Sequence, residues 1–105
     1  MGYKIVIHHL TSEDILEIAR WYDCQLAGLG NKFESDLENA ISKLINNPLS
    51  FKAVYTNIRR VHLKHFPYLI FYQVIEDDIH LYGVMHSKRN PVTIKRRFKN
   101  IRFKS

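Results

Sequence analysis

The side chains able to move protons or hold phosphate gather in the second half of this sequence. Arg60, His62 and Lys64 alternate along one segment, and His86, Lys88 and Arg89 lie close together at the end of another. Histidine titrates near neutrality, so His62 and His86 are candidate acids or bases. Lysine and arginine bind phosphates and stabilise charge that grows on them. Other chemistries find no footing: there is no Gly-rich phosphate loop, no HExxH and no CxxC. His62 and His65 are three apart and face opposite sides of a strand, as do the adjacent His8 and His9. His80 and His86 fall on one strand face but roughly 20 Å apart at ~3.3 Å per residue, too far for one ion. No metal and no cofactor are expected. Cys24 has only Arg20 as a basic sequence neighbour and reads as a packing or surface thiol.

Charge is divided between two halves of the 105 residues. Residues 1–51 carry four basic and seven acidic groups, a net of −3, whereas residues 52–105 carry twelve basic and three acidic groups, a net of +9. A surface so segregated attracts polyanions or acidic partners. An apolar share of 46% supports a core and the length fits a single domain, 1–105. No apolar run approaches 18 residues, the first ten residues fit neither a signal peptide nor a myristoylation site, and a lone cysteine suits a reducing compartment. A cytoplasmic protein with no membrane partner is expected.

The elements that must carry these groups follow from periodicity. Tyr3 to His8 reads as a strand, with Ile5, Val6 and Ile7 β-branched. Thr11 or Ser12 offers a helix cap, and Thr11 with Asp14 resembles a capping box. Ile15, Ile18, Ala19, Tyr22 and Leu26 then recur at helical spacing. A second stripe, Phe33, Leu37, Ala40, Ile41 and Leu44, stops at Asn46-Asn47-Pro48, giving a helical hairpin. After a loop over 48–57 the period changes to two. Strands are predicted at 58–64, 68–75 and 79–86, the last two joined by the acidic turn 76–78. The tail 87–105 has eight basic residues and no acid; Val92, Ile94, Phe98, Ile101 and Phe103 predict partial docking, with a short helix from Pro91. The fold class is α+β: an N-terminal strand and a helical hairpin on one face of a mostly antiparallel sheet of about four strands.

In that layout Val61 and Leu63 face the helices, while Arg60, His62 and Lys64 face away. The uncovered sheet face, with Tyr72 and Tyr82 among the cations, is then the expected basic surface.

Four segments taken in order, ARWYDCQLAGLGNKF (19–33), the NNP after the second helix, RRVHLKHFPYLIFYQV (59–74) and VMHSKRNP (84–91), resemble the RelE/ParE superfamily of toxins from type II toxin–antitoxin modules, in particular its plasmid-stabilisation ParE-like branch. The resemblance spans roughly 3–97. It implies a helical hairpin packed on an antiparallel sheet and one of two activities. RelE-like toxins cut mRNA on the ribosome. ParE-like toxins do not cut RNA and are associated with poisoning of DNA gyrase. RNA cleavage needs a base for the 2′-OH, cations on the phosphate and an acid for the leaving oxygen. The RNA-cutting branch supplies these from basic residues of the first strand after the hairpin, an arginine in the central strand, a loop arginine, and a C-terminal tyrosine or histidine.

Position by position the match is partial. Arg60, His62 and Lys64 occupy the basic strand positions and Arg89 the loop arginine. Leu69 stands where the RNA-cutting enzymes commonly carry arginine, and no tyrosine follows Tyr82. If the chain were a ribonuclease, His62, Lys64, His86 and Arg89 would be its catalytic set. As a ParE-like toxin it would contact its target, or nucleic acid, through Arg59, Arg60, Lys64, Lys88, Arg89, Arg96 and Arg97. The resemblance implies an acidic antitoxin and a toxin–antitoxin hetero-oligomer, with gyrase or the ribosome and its mRNA as target. A nucleic-acid-binding module with no toxin role is the alternative from another class.

Overall fold

The computed structural model describes residues 2–55 and 57–99. Helices α1 (His9–Gln25) and α2 (Leu29–Asn46) form the hairpin demanded by the two apolar stripes. They cross closely because residue 30 is glycine: a Cβ there would lie 2.5 Å from the Ala19 carbonyl oxygen. The same crossing caps α2, since Gly28 at its start has no side chain and the Gly30 N–H instead donates to Asp23 Oδ1 at 2.8 Å.

The sheet contains β1 (Lys4–Ile7), β2 (Ala53–Tyr55), β3 (Ile58–His62), β4 (Tyr68–Ile75) and β5 (Asp78–His86), in the order β1-β5-β4-β3-β2. β1 pairs with β5 in parallel and the other pairs are antiparallel. Five strands replace the expected four. The extra one, β2, lies inside the segment read as a loop, where three residues are too few to display an alternation.

The hairpin lies on one face of the sheet. Phe33, Leu37, Ala40 and Leu44 meet Val61, Leu63, Ile70, Tyr72, Ile79 and Leu81 in a buried core. At its centre Phe33 makes edge-to-face contacts with Phe66 and Tyr68. The opposite face is not the open surface predicted from the alternation. Helix α3 (Pro91–Lys99) covers it, seating Ile94 and Phe98 on Ile58, Leu69, Phe71, Tyr82 and Met85. The short helix from Pro91 is thus present and completes a third layer. Tyr72 and Tyr82, expected to be displayed among cations, are buried. Ile101 and Phe103, also read as docking residues, lie outside the described residues.

A bulge in β5 changes which residues share a face. Tyr72 pairs with Leu81 but Phe71 with Gly83, so Tyr82 is the extra residue. Beyond it Val84 turns to the hairpin and Met85 to α3, the reverse of the regular alternation that grouped Met85 with Leu81. Among the described residues no helix is long and apolar enough to cross a membrane.

Candidate functional site

β1 covers only the first half of β5, from Asp78 to Leu81. Beyond that point α1 completes the strand edge with side chains. Thr11 is wholly buried and its hydroxyl donates to the Leu81 carbonyl at 2.6 Å. Asp14 Oδ2 accepts the Val84 N–H at 3.1 Å and Arg97 Nη1 at 2.9 Å, while Asp14 Oδ1 accepts Arg97 Nη2 at 3.0 Å. The helix begins two residues before Thr11, capped by backbone at His8. The pair read as a capping box is therefore a clasp between α1, the β5 edge and α3. Arg97 reaches Asp14 by passing over Gly83, where a Cβ would stand 3.3 Å from Nη1. The carboxylate holds the Arg97 guanidinium even more firmly protonated than usual.

Next to this clasp is a cleft of about 500 Å³ whose lining includes Glu17, Ile18, Tyr68, His86, Lys88 and Arg89. The turn after β5 brings the last three together: the Lys88 N–H donates to His86 Nδ1 at 3.1 Å and the Arg89 N–H to the His86 carbonyl at 2.9 Å. Because Nδ1 accepts, the neutral His86 ring carries its proton on Nε2. The ring stands edge-on to Tyr68, 5.3 Å between centroids. Burial, with the hydrogen bond to Tyr22 adding to it, pushes the Tyr68 phenol up to about 12. Burial pushes Tyr72 to about 12 as well, with Arg59 pulling the other way, and Tyr82 also rises through burial. These tyrosines keep their protons near neutrality and serve as neutral hydrogen-bond donors.

The other candidate residues lie elsewhere. His62 pairs with Leu69, which pairs with Met85, so β4 separates His62 from β5 by roughly 10 Å of strand spacing. The bulge turns His86 against Tyr68, and His62 and Lys64 do not face away from the helices as the alternation predicts. His62 and Lys64 instead line a cavity of about 260 Å³ with Asp36, Asn39 and Lys43 of α2. Arg60 pairs with Phe71 on the α3 side of the sheet. Arg59 is spent on structure, donating to the Phe51 carbonyl at 2.7 Å, as Arg97 is on Asp14. Lys88, Arg89 and Arg96 are exposed. The four residues of the ribonuclease set thus fall into two groups, His86 with Arg89 and His62 with Lys64.

Three further features escaped the sequence reading. Asp36 is buried, its Oδ2 accepts the backbone N–H groups of His65 and Phe66 at 2.7 and 3.0 Å, and its Oδ1 has no partner. It fixes the β3–β4 loop to α2. Asp36→Ala is expected to cost about 2 kcal/mol by stranding two N–H groups, measured as a lower denaturant midpoint. Second, Gly83 admits the clasp. Third, His8 Nε2 lies 2.9 Å from His80 Nδ1, with both rings near Tyr82. Residues 72 apart meet here because β1 runs beside β5. Burial, then the neighbouring His80, lowers the His8 pKa below its usual 6.5. The unfolded chain therefore takes up that proton at higher pH than the folded one. The contribution to stability is complete above 6.5 and is lost as pH falls below it. Melts between pH 7.5 and 5 should show wild type losing more stability than His8→Gln. Among the described residues no group of three or more His, Cys, Asp or Glu side chains could hold a metal ion.

A family model for the ParE toxin of the parDE type II toxin–antitoxin system matches residues 5–91. The chain belongs to the ParE toxin family. Its fold is shared with solved structures. A structure of the chromosomal ParDE toxin–antitoxin system from P. aeruginosa aligns with TM-score 0.71 at 14% identity, covering 80% of this chain and 95% of the other. A free-state structure of a mutant E. coli toxin RelE aligns with TM-score 0.69 at 13% identity, covering 96% and 100%. No match was found among curated proteins. The ParE match agrees with the branch to which the sequence segments pointed, and both neighbours share the hairpin-on-sheet architecture.

Proposed function

We propose that this ParE-family toxin arrests growth by binding a macromolecular target, DNA gyrase being the first to test, and that a cognate acidic antitoxin neutralises it in a hetero-oligomer in the cytoplasm. The observation that carries the reading is the separation of His62 and Lys64 from His86 and Arg89 by the central strand. In-line attack on a phosphodiester needs base, acid and cations around a single phosphate. Leu69 offers no cation, being sealed under α3, and Tyr68, the tyrosine that lines the cleft, holds its proton. Cations that need not converge still serve recognition, with Lys88, Arg89 and the exposed Lys64 as candidate contacts.

The antitoxin has a natural complement on α1. Trp21 is 57% exposed and Leu16 51%, and Leu26 beyond the helix is 64% exposed. An acidic segment that folds on binding can cover such apolar groups while neutralising the basic half.

Induced expression, with growth, transcript integrity and gyrase supercoiling followed together, tests the proposal. Arrest with intact transcripts and impaired supercoiling is the expected result. Defined mRNA cuts that disappear in Arg89→Ala would establish instead the ribosome-dependent endoribonuclease, the reading favoured by the grouping of His86, Lys88 and Arg89 in one cleft. Harmless expression would leave the non-toxic nucleic-acid-binding module.

A further inference from the structure

We propose that the outer face of α3 grips the phosphodiester backbone of a nucleic-acid duplex, giving the toxin a sequence-independent hold on nucleic acid in addition to any protein target. The helix has two unlike sides. Ile94 and Phe98 are buried on the sheet and Arg97 is bound to Asp14. Lys95, Arg96 and Lys99 point outward and are exposed, as are Lys88 and Arg89 in the turn that leads into the helix. On the helix, Lys95 to Lys99 span about 6 Å at ~1.5 Å per residue, and Lys88 and Arg89 extend the row beyond its N-terminus. A duplex presents one negative charge per ~1.7 Å of axis, so several phosphates fall within that span.

Local roles do not account for the face. Lysine and arginine in a last turn favour the helix dipole, but Lys88 and Arg89 precede the helix. Among the described residues the ion pairs are His9–Glu13 and Asp14–Arg97, so no carboxylate neutralises the outward cations of α3. The exposed Lys95 ammonium also lies 5.8 Å from the centre of the Tyr55 ring, a weak contact that holds it at the α3–β2 surface.

Phosphate fits better than an acidic polypeptide. Protein docking needs apolar anchors ringed by polar groups. The outer face of α3 offers only Val92, whereas Leu16 and Trp21 lie on α1, across the sheet. The protein-like and phosphate-like surfaces are on opposite layers of the fold.

Fluorescence anisotropy of the full chain with a labelled 20-base-pair DNA duplex tests this across a salt series, with an RNA duplex of the same length as a second arm. Binding should be independent of sequence and weaken steeply with salt. The Lys95→Gln/Arg96→Gln/Lys99→Gln variant should bind at least tenfold more weakly, and the log K against log salt slope should fall by about 2–3, near 0.9 for each cation lost. Trp21→Ser should bind like wild type, and circular dichroism should show both variants folded. Affinity for both duplexes identifies the backbone as the ligand, and affinity for one alone names its source. An unchanged slope in the triple variant would overturn the proposal. So would poly-glutamate binding of equal strength abolished by the same substitutions, which would assign the face to an acidic protein. Anisotropy reads binding whether or not the chain arrests growth, so its outcome is separate from that of the toxicity experiment.

Discussion

Asp14→Ala should lower the unfolding free energy by about 3 kcal/mol, a fall in melting temperature of roughly 12–24 °C for a domain of this size. One carboxylate serves three elements. It terminates the open half of the β5 edge at Val84, holds α1 against that edge, and draws α3 across Gly83 by two bonds to Arg97. The ion pair is well shielded, its side chains 13% and 19% exposed, so removing the carboxylate leaves a guanidinium and a backbone N–H with poor access to water. Arg97→Ala should cost less, about 1–2 kcal/mol, because Asp14 keeps the Val84 N–H and can recruit solvent on its vacated side. The double variant should cost little more than Asp14→Ala alone. A double-mutant cycle by denaturant unfolding reads the coupling directly. Strict additivity would mean that the Asp14–Arg97 pair carries no coupling energy and does not help hold α3, whatever Asp14 contributes through Val84.

The same clasp shows where sequence reasoning stopped. Thr11 and Asp14 have the spacing of a helix cap, and nothing local distinguishes that use from a bond to a strand 70 residues away. The helical stripes, the hairpin and β4 were legible because each repeats its own period many times. β2 was not, having only three residues. The largest error concerned the basic face. A strict alternation through 79–86 displays Tyr82 and keeps Leu81 with Met85, but the bulge at Tyr82 breaks it, and the only trace in sequence is Gly83. That one residue also shapes the candidate site, since the bulge turns His86 toward Tyr68. The positions of the cations are read directly from the sequence. Which of them are already spent was not legible, because Arg59 answers a carbonyl in the preceding loop and Arg97 a carboxylate on another layer.

Leu69→Arg should cost about 4 kcal/mol and gain no RNA cleavage. The resemblance to RNA-cutting relatives makes this substitution the obvious attempt to rebuild their site, since they commonly carry arginine there. In this chain position 69 is 2% exposed and lies beneath α3 with Ile58, Phe71, Met85, Ile94 and Phe98, a cluster with no carboxylate. Guanidinium stays charged at any working pH and cannot shed its proton to fit an apolar site. The chain must then unfold or lift α3 from the sheet, giving up the burial of Ile94 and Phe98. Leu69→Met preserves volume and should cost less than about 1.5 kcal/mol, separating the effect of charge from that of shape. Denaturant melts and an mRNA cleavage assay on both variants provide the comparison. A stable Leu69→Arg protein that cuts RNA would mean that α3 leaves this face readily and exposes a catalytic surface, overturning both the packing account and the binding mechanism. Loss of stability without cleavage means that position 69, on the inner face of a core, has no room for a charged side chain.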